Sequence, residues 1–279
     1  MRVAGQEMRS APPHWGMNST RAMVTVNGSQ VETLWLAPRL SKLPTIVMLH
    51  EGLGSVALWK DFPRDIAERT GFGVFVYSRR GNGNSDGLQE KRSVEYMHDE
   101  AETVLPLLLR AAGIEHPVLL GHSDGGSIAL IYASKHPNSP RALVLEAPHV
   151  FVEELSVESI AKMRTLYETT DFRSKLGRYH RDVDAAFWNW NDIWLDPRFR
   201  SWNIESYLGD ITCPVLLIQG VNDEYGTIRQ VESIQQHIPS AEALLLPDCG
   251  HSPHRDQPQA TIDRIARFLA TLKLAEHHS

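Results

Sequence analysis

Short, wholly apolar runs recur along the chain and alternate with longer amphipathic stretches, and this alternation restricts the possible folds more than any other feature. A short apolar run is typical of a strand that is buried on both faces of a sheet. Amphipathic stretches between such runs predict helices that cover those faces. We therefore predict an α/β fold, in which helices flank a mostly parallel sheet of the eight-stranded type. The apolar runs are Thr45–Leu49, Val74–Tyr77, Val118–Leu120, Ala142–Leu145, Val215–Ile218 and Ala243–Leu246. The helical stretches are Phe62–Arg69, Val94–Ala112, Gly125–His136 and Gln259–Leu274.

The N-terminal part of the chain has a different pattern. Ala22–Val26 and Val31–Leu36 predict two strands, and Asn27-Gly28 between them is a pair suited to a tight hairpin turn. Residues 1–22 are rich in polar residues and proline, which predicts a loosely ordered tail.

The pattern changes again in the middle of the chain. Residues 149–207 contain no strand-like run and hold several tryptophans, so we predict a helical cap inserted between two parts of one core, 23–148 and 208–279. Most of the tryptophans are expected to fill the small core of this insertion. Trp188 and Trp194 are candidates for lining a substrate pocket.

The overall composition excludes several classes of protein. The chain has 279 residues, a formal net charge of −6 and two cysteines, Cys213 and Cys249. This charge argues against a nucleic-acid-binding domain and against a polybasic membrane anchor. Two cysteines are too few for a disulfide scaffold and fit a reducing compartment. No apolar run approaches the roughly 20 residues of a transmembrane helix, and the first residues lack the apolar segment of a signal peptide. We therefore expect a soluble, cytoplasmic protein without nucleic-acid or membrane partners.

The motif Gly121-His122-Ser123-Asp124-Gly125 is the most specific chemical signal in the sequence. It fits the pattern G-x-S-x-G, follows an apolar run directly and opens a helical stretch. A serine on so sharp a turn has a strained backbone, and the glycines avoid collisions between neighbouring side chains. We predict that Ser123 is a nucleophile. The alternative is a glycine-rich turn in which the serine has no chemical role.

A serine hydroxyl needs a base to accept its proton, and His251 is the preferred candidate among 13 histidines. It follows the run Ala243–Leu246 through a short loop, at the sheet edge where catalytic groups of α/β proteins gather. His254 is expected to pack or cap, and His122 to be a structural neighbour of the turn. His50 ends a strand and is expected to line the pocket without reacting.

The base in turn needs a carboxylate that orients it and stabilises its charged form. Asp223 lies in the loop after Val215–Ile218, and the chain order Ser123, Asp223, His251 is the order expected for this architecture. Glu146, at the end of another strand, is the main alternative and is otherwise expected to order the entrance of the cap or to bind a polar group of the substrate; Glu224 is a weaker one.

An oxyanion hole requires two backbone N–H groups near the nucleophile. The residue after the serine, Asp124, supplies one, and the loop after Thr45–Leu49 supplies the other through Gly52, with Leu53 as the alternative and as a pocket residue. The Asp124 side chain is expected to cap its helix; the alternatives are a contact with substrate or an effect on the pKa of His251.

Together these residues resemble the α/β-hydrolase superfamily from about residue 23 to the end of the chain. The resemblance implies that 149–207 is the helical cap that often covers the pocket in this family. It departs from the family at Glu51, where a glycine is common, and at Ser78 and Asn82 in the neighbouring loop. The segments that carry the resemblance are His50–Ser55, Arg80–Ser85, the turn at Ser123, Asp223, Gly250-His251 and Asp256–Pro258.

The expected activity is that of a serine hydrolase that cleaves a small carboxylic ester through an acyl-enzyme, without metal or organic cofactor. Serine at the nucleophile position disfavours epoxide hydrolases and haloalkane dehalogenases, which need a carboxylate there. Three alternatives stay open: the same residues acting on a lactone, an amide or a carbon–carbon bond; a cofactor-free lyase or oxygenase; and a ligand receptor that does not turn over. Arg79 and Arg80 are expected to hold their loop, with contact to an anionic substrate as the alternative.

Overall fold

An eight-stranded sheet forms the centre of the molecule in the computed structural model, which describes residues 19–37 and 43–276. In space the strands follow the order β1-β2-β4-β3-β5-β6-β7-β8. The two N-terminal strands pair antiparallel, β2 also pairs antiparallel with β4, and all other neighbours are parallel. The predicted mostly parallel sheet is therefore confirmed. The strands are β1 Ser19–Val26, β2 Ser29–Leu36, β3 Thr45–Leu49, β4 Gly73–Tyr77, β5 Val118–His122, β6 Ala142–Glu146, β7 Val215–Gly220 and β8 Glu242–Leu246.

Helices cover both faces of the sheet, as the apolar strands require. One face packs against α1 and α11, and the other against the helices between β4 and β6 together with α8 and α9. The helices are α1 Phe62–Thr70, α2 Tyr96–Asp99, α3 Leu105–Ala111, α4 Asp124–Lys135, α5 Glu154–Thr169, α6 Phe172–Leu176, α7 Val183–Trp194, α8 Glu205–Leu208, α9 Arg229–His237, α10 Pro253–Asp256 and α11 Pro258–Glu276. A π-helical turn, Glu100–Val104, joins α2 to α3, and Pro197–Ser201 is a 3₁₀ helix.

Local sequence explains several boundaries. The hairpin between β1 and β2 turns at Asn27 and Gly28, whose φ angles of 47° and 76° are both positive, as a tight turn of this kind requires. Helix α1 carries Pro63 in its first turn and ends at Gly71, which has φ of 78° and donates its N–H to the carbonyl oxygen of Ala67.

The structure differs from the sequence-based predictions at several places. β1 begins at Ser19 rather than Ala22, so only residues 1–18 of the predicted tail lie outside the described residues. The predicted helix Val94–Ala112 is interrupted by the π-helical turn. Helix α9 was not predicted, because its mostly polar sequence lacks a wide apolar stripe.

The segment predicted as a cap is helical, and its two ends lie side by side. Phe151 and Asn203 form an isolated antiparallel bridge, and the N–H of Ile204 donates to the carbonyl oxygen of Val150 at 2.8 Å. Helices α5, α6 and α7 lie between these ends. Within the ranges that the structure describes, no helix is both long enough and apolar enough to cross a bilayer.

The parallel strands bring their C-terminal ends to one edge of the sheet. The loops after β3, β5, β7 and β8 all leave from this edge, and they carry the residues that the sequence singled out. Loops at this edge are where α/β proteins bind ligands.

Candidate active site

Ser123 lies on a sharp turn between β5 and α4. Its φ and ψ are 53° and −118°, an unusual conformation for a residue other than glycine. A Cβ atom added at Gly121 would lie 2.3 Å from the carbonyl oxygen of Gly125, and one added at Gly125 would lie 2.0 Å from the carbonyl oxygen of Leu49. The two glycines of the motif are therefore required by contacts with backbone atoms, and not by the collisions between side chains that the sequence predicted.

Three predicted residues form one continuous hydrogen-bonded chain. The Nε2 atom of His251 lies 2.9 Å from the Oγ atom of Ser123, and its Nδ1 atom lies 2.9 Å from each carboxylate oxygen of Asp223. A carboxylate only accepts hydrogen bonds, so Nδ1 of His251 carries the proton and Nε2 is free to accept one from Ser123. The arrangement can generate a serine nucleophile.

The Asp223 carboxylate is fixed by the loop that carries it. It accepts hydrogen bonds from the N–H groups of Tyr225 at 2.8 Å and Gly226 at 3.2 Å, and from the amide of Gln219 at 2.7 Å. Burial favours the neutral acid, but His251 and these N–H groups outweigh it and hold the pKa of Asp223 below its usual value. The side chain therefore stays ionised beside His251.

Glu146, the alternative acid, is bound elsewhere. Its Oε2 atom accepts hydrogen bonds from the N–H of His254 at 3.1 Å and from the Nδ1 atom of the same residue at 2.8 Å. The His254 ring packs against Trp59 and Phe62, with ring centroids 4.7 and 5.1 Å apart. Because Glu146 is bound to His254 in this buried pair, it neither orients His251 nor lines the cavity. The third acid, Glu224, accepts only the backbone N–H of His251, at 3.2 Å.

The loop after β3 places candidate oxyanion donors next to Ser123. Gly52, Leu53 and Ser123 line the same cavity. The Asn82 amide donates to the carbonyl oxygens of Gly52 at 3.2 Å and Gly54 at 3.1 Å, which holds this loop in place. Among the described residues, the N–H groups of Gly52, Leu53 and Asp124 donate to no acceptor.

His50 is not a pocket residue. Its ring is fully buried, with Nδ1 donating to the carbonyl oxygen of Glu51 at 2.6 Å and Nε2 accepting the N–H of Arg79 at 2.9 Å. Burial and the adjacent Arg79 lower the pKa of His50, so the ring stays neutral. Arg79 also donates to the carbonyl oxygens of His50 and Glu51, in the structural role predicted for it.

The Asp124 side chain is bound inside the core rather than at the helix start or on the cavity wall. It neither caps α4 nor lines the cavity; it accepts a 2.6 Å hydrogen bond from the hydroxyl of Tyr96 and lies 3.8 Å from Arg79. Both carboxyl and guanidinium groups are buried. Sequence could not locate Tyr96, which lies 28 residues earlier in α2.

Glu51, the departure from the family pattern, contacts His122. Its Oε2 atom lies 3.7 Å from Nδ1 of His122, while Nε2 of His122 donates to the carbonyl oxygen of His251 at 2.7 Å. Burial disfavours both charges, but their proximity outweighs it, so the pKa of Glu51 is well below its usual range and that of His122 is raised. This pair therefore supports the backbone of the residue that faces Ser123.

A cavity of about 510 Å³ opens on Ser123 and His251. Leu53 and Trp194 line it, as predicted, whereas Trp188 does not. The Trp188 ring packs edge-on against Tyr167 and Phe187, at centroid distances of 5.6 and 5.0 Å, and thereby fills the core of the helical insertion. Other apolar residues on the cavity wall are Leu58, Ile160, Met163, Phe172, Leu176 and Trp190.

His149 is a cavity residue that the sequence reasoning missed. Its ring centroid lies 5.6 Å from that of His251 and 5.1 Å from that of Trp194. Burial and the nearby His251 lower the pKa of His149 to about 3, so it lines the cavity as a neutral imidazole. Its position just after β6, at the same sheet edge, is the signal that could have identified it.

In residues 19–37 and 43–276, no group of three or more His, Cys, Asp or Glu side chains could hold a metal ion.

Comparison with known proteins places the chain in a family. Residues 44–187 match the sequence profile of the alpha/beta hydrolase fold family, which is more than half of the chain. The sn-1-specific diacylglycerol lipase ABHD11 of Mus musculus is 26% identical over 263 residues, spanning 82% of this chain and 81% of the relative.

Two further similar proteins are named as hydrolases rather than as lipases. A 2-hydroxy-6-oxononadienedioate/2-hydroxy-6-oxononatrienedioate hydrolase of Comamonas testosteroni is 24% identical, covering 81% of this chain and 87% of its own. The solved structure of a 2-hydroxy-6-oxo-6-phenylhexa-2,4-dienoate hydrolase from Rhodococcus sp. strain RHA1 has a TM-score of 0.76 at 17% identity, covering 90% of this chain and 99% of that one. The chain belongs to the alpha/beta hydrolase fold family of enzymes.

Proposed function

We propose that the protein is a serine hydrolase that cleaves a small carboxylic ester, or a related acyl substrate, through an acyl-enzyme on Ser123. The observation that carries this proposal is the hydrogen-bonded chain from Ser123 through His251 to Asp223, opening on a largely apolar cavity. A serine, an imidazole and an ionised carboxylate in this order are the components of nucleophilic acyl transfer.

In the first half of the proposed reaction, Oγ of Ser123 attacks the carbonyl carbon while its proton moves to Nε2 of His251. Asp223 stabilises the resulting imidazolium. The N–H groups of Asp124 and of Gly52 or Leu53 donate to the oxyanion, each lowering the barrier by about 3 kcal/mol. The imidazolium then returns the proton to the leaving alcohol.

In the second half, a water molecule replaces the alcohol. His251 takes one proton from this water, which attacks the acyl carbon, and Ser123 leaves with the proton. The apolar walls around the site limit the access of other water molecules and strengthen the electrostatic interactions inside.

The proposal is tested by labelling with a fluorophosphonate, followed by intact mass measurement and peptide mapping. We expect one adduct on Ser123, hydrolysis of p-nitrophenyl esters, and loss of both in Ser123→Ala. Ser201→Ala, an exposed serine in the 3₁₀ helix, is the matched control and retains both. A folded Ser123→Ala variant that keeps near-native turnover would contradict the acyl-enzyme and favour a reaction in which His251 acts as a base alone.

Hydrolysis of a carbon–carbon bond by the same residues is the second candidate. It is favoured by the name of the Comamonas testosteroni relative, a 2-hydroxy-6-oxononadienedioate/2-hydroxy-6-oxononatrienedioate hydrolase. Parallel assays with p-nitrophenyl esters and a vinylogous 1,5-diketone separate the two. A kcat/KM at least tenfold higher for the diketone would replace the ester in the proposal.

A further inference from the structure

Four basic side chains line the cavity although the chain as a whole is acidic. The formal net charge is −6, yet Lys60, Lys175, Arg178 and Arg255 all border the cavity that opens on Ser123. All four are exposed, whereas Ser123 is buried, so the cations lie at the solvent end of the cavity.

The acidic residues of the cavity do not neutralise these cations. Glu51 faces His122 at 3.7 Å, and the exposed Glu224 accepts the backbone N–H of His251; within the described residues neither forms an ion pair with any of the four cations. Lys175 pairs with Asp171 at 2.9 Å. Among the described residues, the side chains of the other three cations form neither an ion pair nor a hydrogen bond.

The cations come from two parts of the fold. Lys60 precedes α1 and Arg255 lies in α10, both in the core, while Lys175 lies in α6 and Arg178 just after it, in the helical insertion. Lys60 also adopts φ of 53°, a costly conformation for a residue other than glycine. Because the four cations belong to both the core and the helical insertion, an anion at the cavity mouth would be attracted from both sides.

We propose that the preferred substrate is an acyl compound with an anionic group, a carboxylate or a phosphate, separated from the scissile carbonyl by an apolar chain. This inference rests on the proposed function. In this arrangement Ser123 attacks the carbonyl of the substrate, and the apolar chain of the substrate lies against the wall formed by Ile160, Met163, Leu176 and Trp190. The anionic group of the substrate then reaches the basic rim, which consists of Lys60, Lys175, Arg178 and Arg255. The remote charge adds binding energy without entering the apolar interior.

The test compares two esters of equal length: mono-p-nitrophenyl suberate, which ends in a carboxylate, and its methyl-capped neutral analogue. We expect a kcat/KM ratio in favour of the anion of about tenfold at low salt, falling toward one near 1 M NaCl because salt screens exposed charges. Arg178→Gln, Arg255→Gln and Lys60→Gln each lower this ratio by about two- to fivefold, the range for exposed charge pairs. Lys162→Gln, an exposed lysine of the insertion outside the cavity, is the matched control and leaves the ratio unchanged.

The outcomes separate this inference from the proposed function. Turnover of both esters with a ratio near one, or a ratio that the three substitutions do not change, overturns the inference alone. If neither ester reacts and the fluorophosphonate does not label Ser123, the proposed function fails. Titration calorimetry of Ser123→Ala with suberate and with 1,8-octanediol then tests whether the basic rim binds an anion. Selective binding of suberate supports the rim as an anion site, and equal binding of the two compounds overturns it.

The same basic residues could instead contact a lipid surface, and sedimentation with vesicles distinguishes this. Vesicles of phosphatidylcholine, with and without phosphatidylglycerol, are compared for the parent protein and the three variants. Binding that needs phosphatidylglycerol and is lost in the variants, together with an unchanged ester ratio, overturns the substrate assignment.

Discussion

Replacing Gly125 by alanine is predicted to damage both stability and activity, and the size of the effect follows from backbone distances. The new Cβ atom would lie 2.0 Å from the carbonyl oxygen of Leu49 and 2.8 Å from that of His50. Both oxygens belong to backbone at the end of β3, so no side chain can rotate away. The start of α4 and the end of β3 must separate by about 1 Å in a close-packed interior.

The predicted loss of stability is about 3 kcal/mol, the upper part of the range for overpacking, because backbone rather than side chain must move. For a domain of this size, that loss lowers Tm by about 6–12 °C. Activity falls further, since α4 carries Ser123 at its start and β3 leads into the loop of Gly52. A displacement of about 1 Å between such groups reduces kcat/KM by about 100-fold.

Calorimetry and ester kinetics at a temperature where both proteins are folded provide the measurement. Gly209→Ala is the matched control, because Gly209 has φ of −65° and a Cβ atom there would meet nothing within 4 Å. Its Tm is expected to stay the same or to rise slightly. A Gly125→Ala protein with a Tm within 2 °C of the parent and unchanged labelling of Ser123 would refute the steric argument.

Three other substitutions test separate contacts of the site. Asp223→Asn is expected to lower kcat by about 10⁴-fold with little change in Tm, because an amide no longer fixes the proton on Nδ1 of the histidine; a loss under tenfold would contradict this. Glu51→Gln removes the ion pair with His122. Because the pKa of Glu51 is lowered, the pair stabilises the folded state at pH values above the normal pKa of a glutamate. Because the pKa of His122 is raised, this stabilisation is lost as pH rises through the pKa of His122 in the folded protein. Denaturant titration at a series of pH values should therefore show a loss of about 2 kcal/mol near pH 5.5 that shrinks as pH rises through the raised pKa of His122, and a loss that does not change with pH would exclude the pair. Trp190→Ala should raise KM for long-chain esters at least fivefold, about the loss of a well-packed aromatic contact, whereas Trp188→Ala, outside the cavity, should change only stability; equal kinetic effects would contradict the cavity assignment.

The features that the sequence predicted well are those that short stretches of chain determine. The strand runs are apolar because both faces of the sheet are covered, so they can be recognised from a few residues. The hairpin at Asn27-Gly28 and the turn at Ser123 depend on backbone conformations that their own residues select.

The features that the sequence did not predict depend on partners far along the chain. Asp124 is bound by Tyr96, which the packing of α2 against α4 brings close, and by Arg79 from the loop after β4. Trp190 and Trp188 lie two residues apart in α7, on different sides of the helix, so composition alone could not assign one to the cavity and the other to the core.

The choice between Asp223 and Glu146 illustrates this dependence most clearly. Two acid–imidazole pairs form at the same sheet edge, His251 with Asp223 and His254 with Glu146, each with Nδ1 within 2.9 Å of a carboxylate oxygen. Local chemistry is the same in both, but the His254 ring packs against Trp59 and Phe62, whereas Nε2 of His251 faces Ser123.

Which imidazole can accept a proton from serine is therefore decided by what surrounds each ring. His122 contributes to this difference, because its Nε2 atom donates to the carbonyl oxygen of His251 and its ring lies edge-on to that of His254, with centroids 5.0 Å apart. Glu51 faces the other nitrogen of His122 and also lines the cavity. A charged residue at this position, where the family commonly has glycine, thus connects the cavity wall to the backbone of the proposed base. A substitution there should act on the placement of His251 rather than on the chemistry of Ser123.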